Sequence, residues 1–203
     1  DIPGRTEEPI NPFEDRAYYA AAIRECFEES GVLMATSSAL ATRPTSNALV
    51  EARSALNAGS LPFNEILATW SMTSDATAMQ LVARWVTPLG SPRRFDARFF
   101  ITACPGSSQA AHDDRELVDS AWMTPQSVLD AFASGDMDLM TPTLRMLKNL
   151  SQHESVADVF SYLEAHRTFE RVRVANESRE LLLPGEPGYD DALENVETGW
   201  VRL

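Results

Sequence analysis

Residues 24–32 read Arg-Glu-Cys-Phe-Glu-Glu-Ser-Gly-Val, and this stretch carries more information than the rest of the chain. Its three carboxylates, Glu25, Glu28 and Glu29, stand three and four positions apart. In a helix this spacing places them on one side, where like charges repel each other by about a few tenths of a kcal/mol per pair. A hard divalent ion such as Mg²⁺ or Mn²⁺ would turn that repulsion into ligation, because it prefers oxygen ligands. The stretch therefore predicts a metal-binding helix face.

The surrounding sequence predicts a helix over residues 18–30. No Gly or Pro interrupts this segment, and an apolar stripe recurs every four residues at Tyr19, Ile23 and Phe27. Gly31 follows at the point where a helix needs a residue with positive φ in order to end. Arg24 precedes Glu28 by one helical turn, so its guanidinium is placed to orient that carboxylate.

The alternative is a solvated helix face, because paired glutamates are common on helix surfaces. Five fixed positions coincide here, and this coincidence favours the metal site over the solvated face. They are Arg24, Glu25, Glu28, Glu29 and Gly31.

The stretch resembles the second half of the Nudix box, whose full pattern is G-x5-E-x7-R-E-U-x-E-E-x-G-U with U apolar. Residues 24–32 fill the part R-E-U-x-E-E-x-G-U. The first half does not fit in contiguous register, because Arg16 stands at the expected Glu and Ile10 at the expected Gly. An interrupted box resembles the Nudix branch of the peroxisomal coenzyme A diphosphatases.

Three further segments resemble that branch and extend the resemblance over residues 15–150. They are Trp85-Val86-Thr87-Pro88, Arg93-Arg94-Phe95-Asp96-Ala97-Arg98-Phe99-Phe100 and Trp122-Met123-Thr124-Pro125. The resemblance implies an α/β Nudix fold with a mixed β-sheet sandwiched between helices. It also implies one domain over residues 1–203, with a helical insertion at 36–76 after the catalytic helix and C-terminal helices and a tail at 141–203. We expect the upstream strands and the front half of the box to be missing from this chain.

The resemblance further implies hydrolysis of the pyrophosphate bond in a nucleoside diphosphate linked to another moiety. Mg²⁺ or Mn²⁺ held by Glu25, Glu28 and Glu29 would neutralise the pyrophosphate and acidify the attacking water, while Arg24 orients a carboxylate. Many Nudix enzymes take their general base from outside the helix. Glu116 is our candidate for it, with Asp119 as a weaker alternative.

Two basic residues on a predicted strand, Arg94 and Arg98, are candidates for contacts with substrate phosphates, because arginine binds phosphate bidentately. They could equally pair with surface acids. Glu116 could likewise be an ordinary solvated loop charge.

Two classes of function stay open. The first is a pyrophosphohydrolase acting on coenzyme A or acyl-coenzyme A, with ADP-ribose or a dinucleotide as other substrates of the same reaction. The second is a non-catalytic Nudix-like module that binds a nucleotide or a protein as a regulator. The intact box carboxylates favour the enzyme, whereas the missing front half of the box favours the binding module.

Composition restricts the partners. The net charge of −13 argues against a nucleic-acid or anionic-membrane surface, because phosphate backbones require clustered Lys and Arg. The partner expected is a small nucleotide, and a homodimer stays open. Two cysteines and three histidines without ligand spacing make a zinc site improbable. The final residues, Val-Arg-Leu, match a peroxisomal Ser-Lys-Leu signal poorly, and we therefore expect a cytoplasmic protein.

The pattern elsewhere predicts helices over 48–58 and 64–72, which could act as a substrate-selecting lid, and strands over 78–86, 94–103 and 115–123. Thr124-Pro125 and Thr141-Pro142 each predict a helix start with Thr as the cap. Ser155 predicts another helix start with Asp158 in the capping-box position. Short strands are expected over 169–174 and near residue 181.

Overall fold

The computed structural model describes residues 12–37, 44–77, 79–87, 92–104, 119–175, 178, 180–192 and 199–202, with side chains from residue 16 onward. The chain divides into two compact units. One, here called the box unit, comprises Asn11–Met79 and Thr102–Trp122. The other, here called the sheet unit, takes its described residues from Gln80–Ile101 and Met123–Leu203.

The box unit contains the predicted helix and the predicted helical pair. Its elements are α1 Pro12–Ser30, β1 Ala35–Ser37, α2 Ser46–Asn57, α3 Phe63–Thr69 and β2 Met72–Ser74. Strands β1 and β2 pair antiparallel, with Thr36 opposite Thr73. This pairing brings together the two ends of the segment that contains α2 and α3. A core cluster of Phe27, Ala52, Leu56 and Ile66 joins the three helices.

The sheet unit is built around a four-stranded sheet in the order β4-β3-β8-β5. Its strands are β3 Met79–Val86, β4 Asp96–Thr102, β5 Glu170–Arg171 and β8 Gly199–Val201. Three helices lie between β4 and β5 in sequence: α4 Pro125–Ser134, α5 Thr141–Leu150 and α6 Val156–Ala165. A separate pair follows, β6 Arg173–Val174 and β7 Leu181–Leu182. The pairings of β8 with β3 and β5 are antiparallel.

The core of the sheet unit joins the sheet to α5 and α6. Met146 of α5 and Leu163 of α6 pack in one buried cluster with Val82 and Trp85 of β3 and Val201 of β8. Packing of helices against a sheet in this way removes apolar side chains of the strands from water. The α/β content expected from the sequence is thus present.

Most predicted elements are found. Helix α1 is longer than the predicted segment at its N-terminal end, and strands β3 and β4 match the predictions closely. Thr124 caps α4 by accepting the N–H of Ser127, and Ser155 caps α6 by accepting the N–H of Asp158. Among the described helices, none is long and apolar enough to cross a membrane.

Two predictions are wrong. Residues 119–123, the described part of the third predicted strand, form no strand; the Asp119 carboxylate accepts the Ser120 N–H there, and Trp122 is 70% exposed. Thr141 does not cap α5, because the helix already includes it and Met140 occupies the capping position without a side-chain bond. The sequence patterns also missed β1, β2 and β8, which are only three residues long.

Candidate functional site

The box residues lie on the C-terminal half of α1. Ile23 and Phe27 are fully buried on one side of this helix. The Glu25 side chain is 58% exposed, that of Glu28 is 21% exposed, and Glu29 is half-buried. At 3.6 residues per turn the three glutamates cover about 100° of the helix surface, roughly opposite the buried stripe. The sequence thus separates a packing face from an acidic face on one helix.

Arg24 connects two of the three carboxylates. Its Nη1 donates to both carboxylate oxygens of Glu28, at 2.7 and 2.5 Å, and its Nη2 donates to Glu25 Oε1 at 3.2 Å. The bonds to Glu28 are the i,i+4 contact that the spacing predicts. A single cation thereby reduces the repulsion between Glu25 and Glu28 and limits the rotamers that these side chains adopt.

The donor set fits a hard divalent ion in its chemistry, because the acidic face offers carboxylate oxygens on one helix sector. Within the described ranges, however, no three acid, imidazole or thiol side chains are gathered as a group that could hold a metal ion. Glu28 is held by Arg24, and Glu25 points to a largely exposed position. The role of Glu25, Glu28 and Glu29 as metal ligands therefore stays a prediction.

The helix ends directly after these glutamates. Gly31 adopts φ +73°, and its N–H donates to the Phe27 carbonyl at 3.0 Å, as expected for a helix-terminating glycine. The Ser30 hydroxyl donates to the Cys26 carbonyl at 2.5 Å and accepts the N–H of Val32 at 3.2 Å. The chain thus leaves the helix at Gly31, two positions after the last of the three carboxylates.

Two residues of α2 contact this helix end, and the sequence patterns did not reveal them. Arg53 donates to the carbonyl oxygens of Glu28 and Glu29, and Asn57 donates to that of Glu28. The spacing of four between Arg53 and Asn57 is evident from the sequence. Which residues these two side chains contact depends on how α2 packs against α1, and local sequence patterns do not contain that information.

The general base cannot be placed from the described residues, because Glu116 lies outside them. Its weaker alternative, Asp119, is exposed, and its carboxylate accepts the N–H of Ser120 at 2.8 Å. Both assignments stay predictions.

The two arginines proposed for phosphate binding belong to the sheet unit. Arg94 Nε donates to the Thr87 carbonyl at 3.0 Å. The Arg98 side chain is 13% exposed, and its Nη1 lies 3.4 Å from Asp96 Oδ1. The Asp96 carboxylate also accepts two hydrogen bonds from Arg84, one on each oxygen, both at 2.8 Å. The bond from Arg84 lowers the pKa of Asp96 against the opposing effect of burial, and the charges of Arg84 and Arg98 add to the lowering. Arg98 is a partner of this acid, and its contact with substrate stays a prediction.

The comparison with known sequences is decisive for the family. The sequence model described as the NUDT19 Nudix domain matches residues 5–150, well over half of the chain. The chain belongs to the Nudix family. The matching description also agrees with the branch that the interrupted box indicated, and the family predicted from the sequence is confirmed.

This Nudix chain is similar to proteins named acyl-coenzyme A diphosphatase NUDT19. The Homo sapiens protein is 28% identical over 204 residues, covering 90% of this chain and 54% of the relative. The Gallus gallus protein is 27% identical over 167 residues, covering 72% of this chain and 43% of the relative. The chain thus spans about half the length of the curated relatives it matches.

A solved structure supports the fold class. The Nudix chain resembles the crystal structure of a NUDIX hydrolase from Alicyclobacillus acidocaldarius with a TM-score of 0.58 and 25% sequence identity. The similarity covers 73% of this chain and 67% of that one. The predicted Nudix fold is therefore confirmed.

Proposed function

We propose that this Nudix chain is a metal-dependent hydrolase of the pyrophosphate bond in coenzyme A or acyl-coenzyme A. The products would be a phosphopantetheine compound and adenosine 3′,5′-bisphosphate. The observation that carries the proposal is the complete second half of the box, whose charged residues all lie on α1, with Arg24 bonded to Glu28 and Glu25. The names of the relatives supply the substrate class.

The mechanism follows from the charges on α1. Glu25, Glu28 and Glu29 would hold Mg²⁺ or Mn²⁺, which when bound supplies positive charge to the pyrophosphate oxygens and lowers the pKa of water. Arg24 restricts the orientations of Glu28 and Glu25, so that less entropy is lost when these carboxylates take up their ligand positions. Water attacks one phosphorus and a carboxylate accepts its proton. The bond from that phosphorus to the bridging oxygen breaks, and the other phosphate leaves as an anion that keeps this oxygen. Glu116 is our candidate for that carboxylate.

Substrate choice is tested by a panel. The chain is incubated with Mg²⁺ and coenzyme A, acyl-coenzyme A, ADP-ribose or a diadenosine compound, and the products are separated and weighed by mass spectrometry. Adenosine 3′,5′-bisphosphate from the first two compounds supports the proposal. Preferential cleavage of ADP-ribose or the dinucleotide would assign the same reaction to another substrate. Binding without turnover of any compound would favour the non-catalytic module.

The first prediction concerns the acidic face. Glu28→Gln and Glu29→Gln each lower Mg²⁺-dependent turnover by more than about 100-fold, because an amide supplies neither the charge nor the ligand strength of a carboxylate. The matched control is Glu51→Gln, which removes one charge from an exposed position of α2. Circular dichroism verifies that all three variants fold. Wild-type turnover in both Glu28→Gln and Glu29→Gln would remove the catalytic assignment.

The sequence also predicts a small nucleotide as the ligand and a cytoplasmic location. It leaves open whether the chain forms a homodimer.

A further inference from the structure

We infer that Arg53, assisted by Asn57, is a positioning residue that holds the end of α1 and thereby the two glutamates Glu28 and Glu29. The inference extends the proposed function, because its value for metal binding depends on those glutamates being ligands. It assigns to α2 a role beyond covering the substrate: the helix supplies the side chains that terminate the catalytic helix.

The first observation is the hydrogen bonding of the helix end. The last four carbonyls of an α-helix have no partner within the helix and must find one elsewhere. Arg53 Nε donates to the Glu28 carbonyl at 2.8 Å, and its Nη2 donates to the Glu29 carbonyl. Asn57 Nδ2 adds a bond to the Glu28 carbonyl at 3.3 Å. One planar guanidinium thus bridges the backbone of both glutamates.

The second observation is the way α2 is fixed. Ala52 and Leu56 are buried against Phe27 in the core cluster of the box unit. Arg53 and Asn57 each follow one of these residues by one position, so they form a second stripe with the same spacing of four. Packing of the apolar stripe therefore determines where the polar stripe lies, and it aims both donors at the end of α1.

The third observation is the close fit at the glycine that ends the helix. A Cβ on Gly31 would stand 3.4 Å from Arg53 Nη1 and 3.7 Å from its Cζ. The guanidinium therefore lies directly against the backbone at the point where the chain leaves the helix. Hydrogen bonds, the apolar cluster and the helix-ending glycine all place Arg53 at the same point.

The charge of Arg53 suits this position. The C-terminal end of a helix carries a partial negative charge, and a cation there is stabilising. The Arg53 guanidinium also bonds the backbone carbonyls of Glu28 and Glu29, two of the three glutamates that repel one another on the acidic face. Metal ligands must be held close to their binding geometry by contacts beyond the ligands themselves, and such contacts affect metal affinity. Arg53 supplies such contacts from a different helix.

The test compares four proteins: wild type, Arg53→Met, Arg53→Lys and Arg167→Met. Arg167 is the matched control, because it also donates to a carbonyl near a helix end, that of Glu164 in α6, at 3.3 Å. Arg53→Met removes the charge and the donors, whereas Arg53→Lys keeps the charge without the planar pair of donors. Two quantities are measured, namely hydrogen exchange of the peptide covering residues 26–34 and the dissociation constant of Mn²⁺ by electron paramagnetic resonance.

We expect exchange of the 26–34 amides in Arg53→Met to be at least about tenfold faster, because hydrogen bonds from a charged donor are among the stronger ones. The Mn²⁺ dissociation constant rises by about tenfold or more, as for other contacts that orient metal ligands. Arg53→Lys falls between wild type and Arg53→Met, and Arg167→Met matches wild type in both measurements. If Arg53→Met fails to fold, Arg53→Lys alone decides both measurements.

Two outcomes overturn the inference. The first is unchanged exchange at 26–34 in the Arg53 variants. The second is unchanged Mn²⁺ affinity in folded Arg53 variants when wild type binds the ion and hydrolyses substrate; the proposed function then stands. Wild type that neither binds Mn²⁺ nor turns over any compound of the panel refutes the proposed function, and with it the role of Arg53 in metal binding. Hydrogen exchange then still decides whether Arg53 holds the helix end.

Discussion

Gly31 shows how much of the site depends on one backbone conformation. Its φ of +73° lies in the left-handed region, which costs a residue with a side chain about 1–2 kcal/mol relative to its preferred conformations. Glu29 is only two positions away, so a backbone shift on the helix side that relieves strain at residue 31 would move the end of the acidic face. Gly59 has a similar φ of +69°, but nothing lies within 4 Å of the position its Cβ would take.

Gly31→Ala and Gly59→Ala are therefore a matched pair. Each is expected to lose about 1–2 kcal/mol of unfolding free energy, measured by urea denaturation, because alanine pays the same conformational cost at both sites. Only Gly31→Ala is expected also to weaken hydrolysis, because its side chain would lie in contact with the Arg53 guanidinium, which bonds the carbonyls of Glu28 and Glu29. Full stability and full turnover in Gly31→Ala would show that the site does not need this glycine.

The sequence predicted contacts within one helix and missed contacts between helices. The bond between Arg24 and Glu28 follows from a spacing of four, which any helix converts into proximity. The bonds from Arg53 reach Glu28 and Glu29, which precede it by 25 and 24 positions in the sequence. These bonds exist only because α2 packs on Phe27. The prediction of Glu116 as the general base depends on the family resemblance and on the acidic run around it, and this residue lies outside the described residues.

At the scale of elements, two Thr-Pro pairs have different outcomes. Thr124 caps α4: its Oγ1 accepts the Ser127 N–H at 3.1 Å, and the Ser127 hydroxyl donates back to the Thr124 carbonyl at 3.0 Å. The corresponding residue after Thr141 is Leu144, which has no polar group to return such a bond. Leu144 donates its N–H to the Met140 carbonyl at 2.9 Å, and α5 begins one residue earlier than the pattern predicts.

This difference predicts unequal effects of the same substitution. Thr124→Ala is expected to lose about 1 kcal/mol of unfolding free energy, because an N–H of the first turn of α4 then has no side-chain acceptor. Thr141→Ala, at an exposed position that caps nothing, is expected to stay within about 0.5 kcal/mol of wild type. Thermal or urea unfolding of the two variants measures the difference. Equal losses would contradict the assignment of the caps.

At the scale of the whole molecule, the long strands β3 and β4 were predictable, whereas β1, β2 and β8 were not. Strand β3 has eight residues, four of them buried, and is long enough for a sequence window to detect. Strand β8 has three residues, yet it lies between β3 and β5 and pairs with both. Its position depends on pairing with β3, which is distant in the sequence, and a local sequence pattern does not specify such a distant partner.

Gly199 is the residue on which the insertion of β8 depends. A Cβ there would stand 2.0 Å from the carbonyl oxygen of Arg84 in β3, a distance that backbone atoms cannot accommodate without separating the strands. The next residue, Trp200, lies under the guanidinium of Arg171 in β5, 4.1 Å from the ring centroid. The close approach on one side and the cation–π contact on the other hold β8 between its neighbours.

Gly199→Ala is accordingly expected to lose about 3 kcal/mol or more of unfolding free energy, which places it among the strongly destabilising substitutions. Gly185→Ala is the control, because Gly185 also has positive φ but nothing lies within 4 Å of the position of its Cβ. The control loses about 1–2 kcal/mol from backbone strain alone. Urea unfolding compares the two, and a Gly199→Ala loss no larger than that of Gly185→Ala would contradict the close packing of β8 on β3.

We also expect the pairing of β8 with β3 to slow folding of the chain. Ala83 pairs with Val201, so more than 100 positions separate residues that meet in the middle of one sheet. The search for such a distant partner must be completed before its contacts repay the entropy of closing the loop. The Ala35–Ser74 pairing of the box unit closes a much shorter loop. We therefore expect α1 and its contacts with Arg53 to assemble earlier than the central sheet.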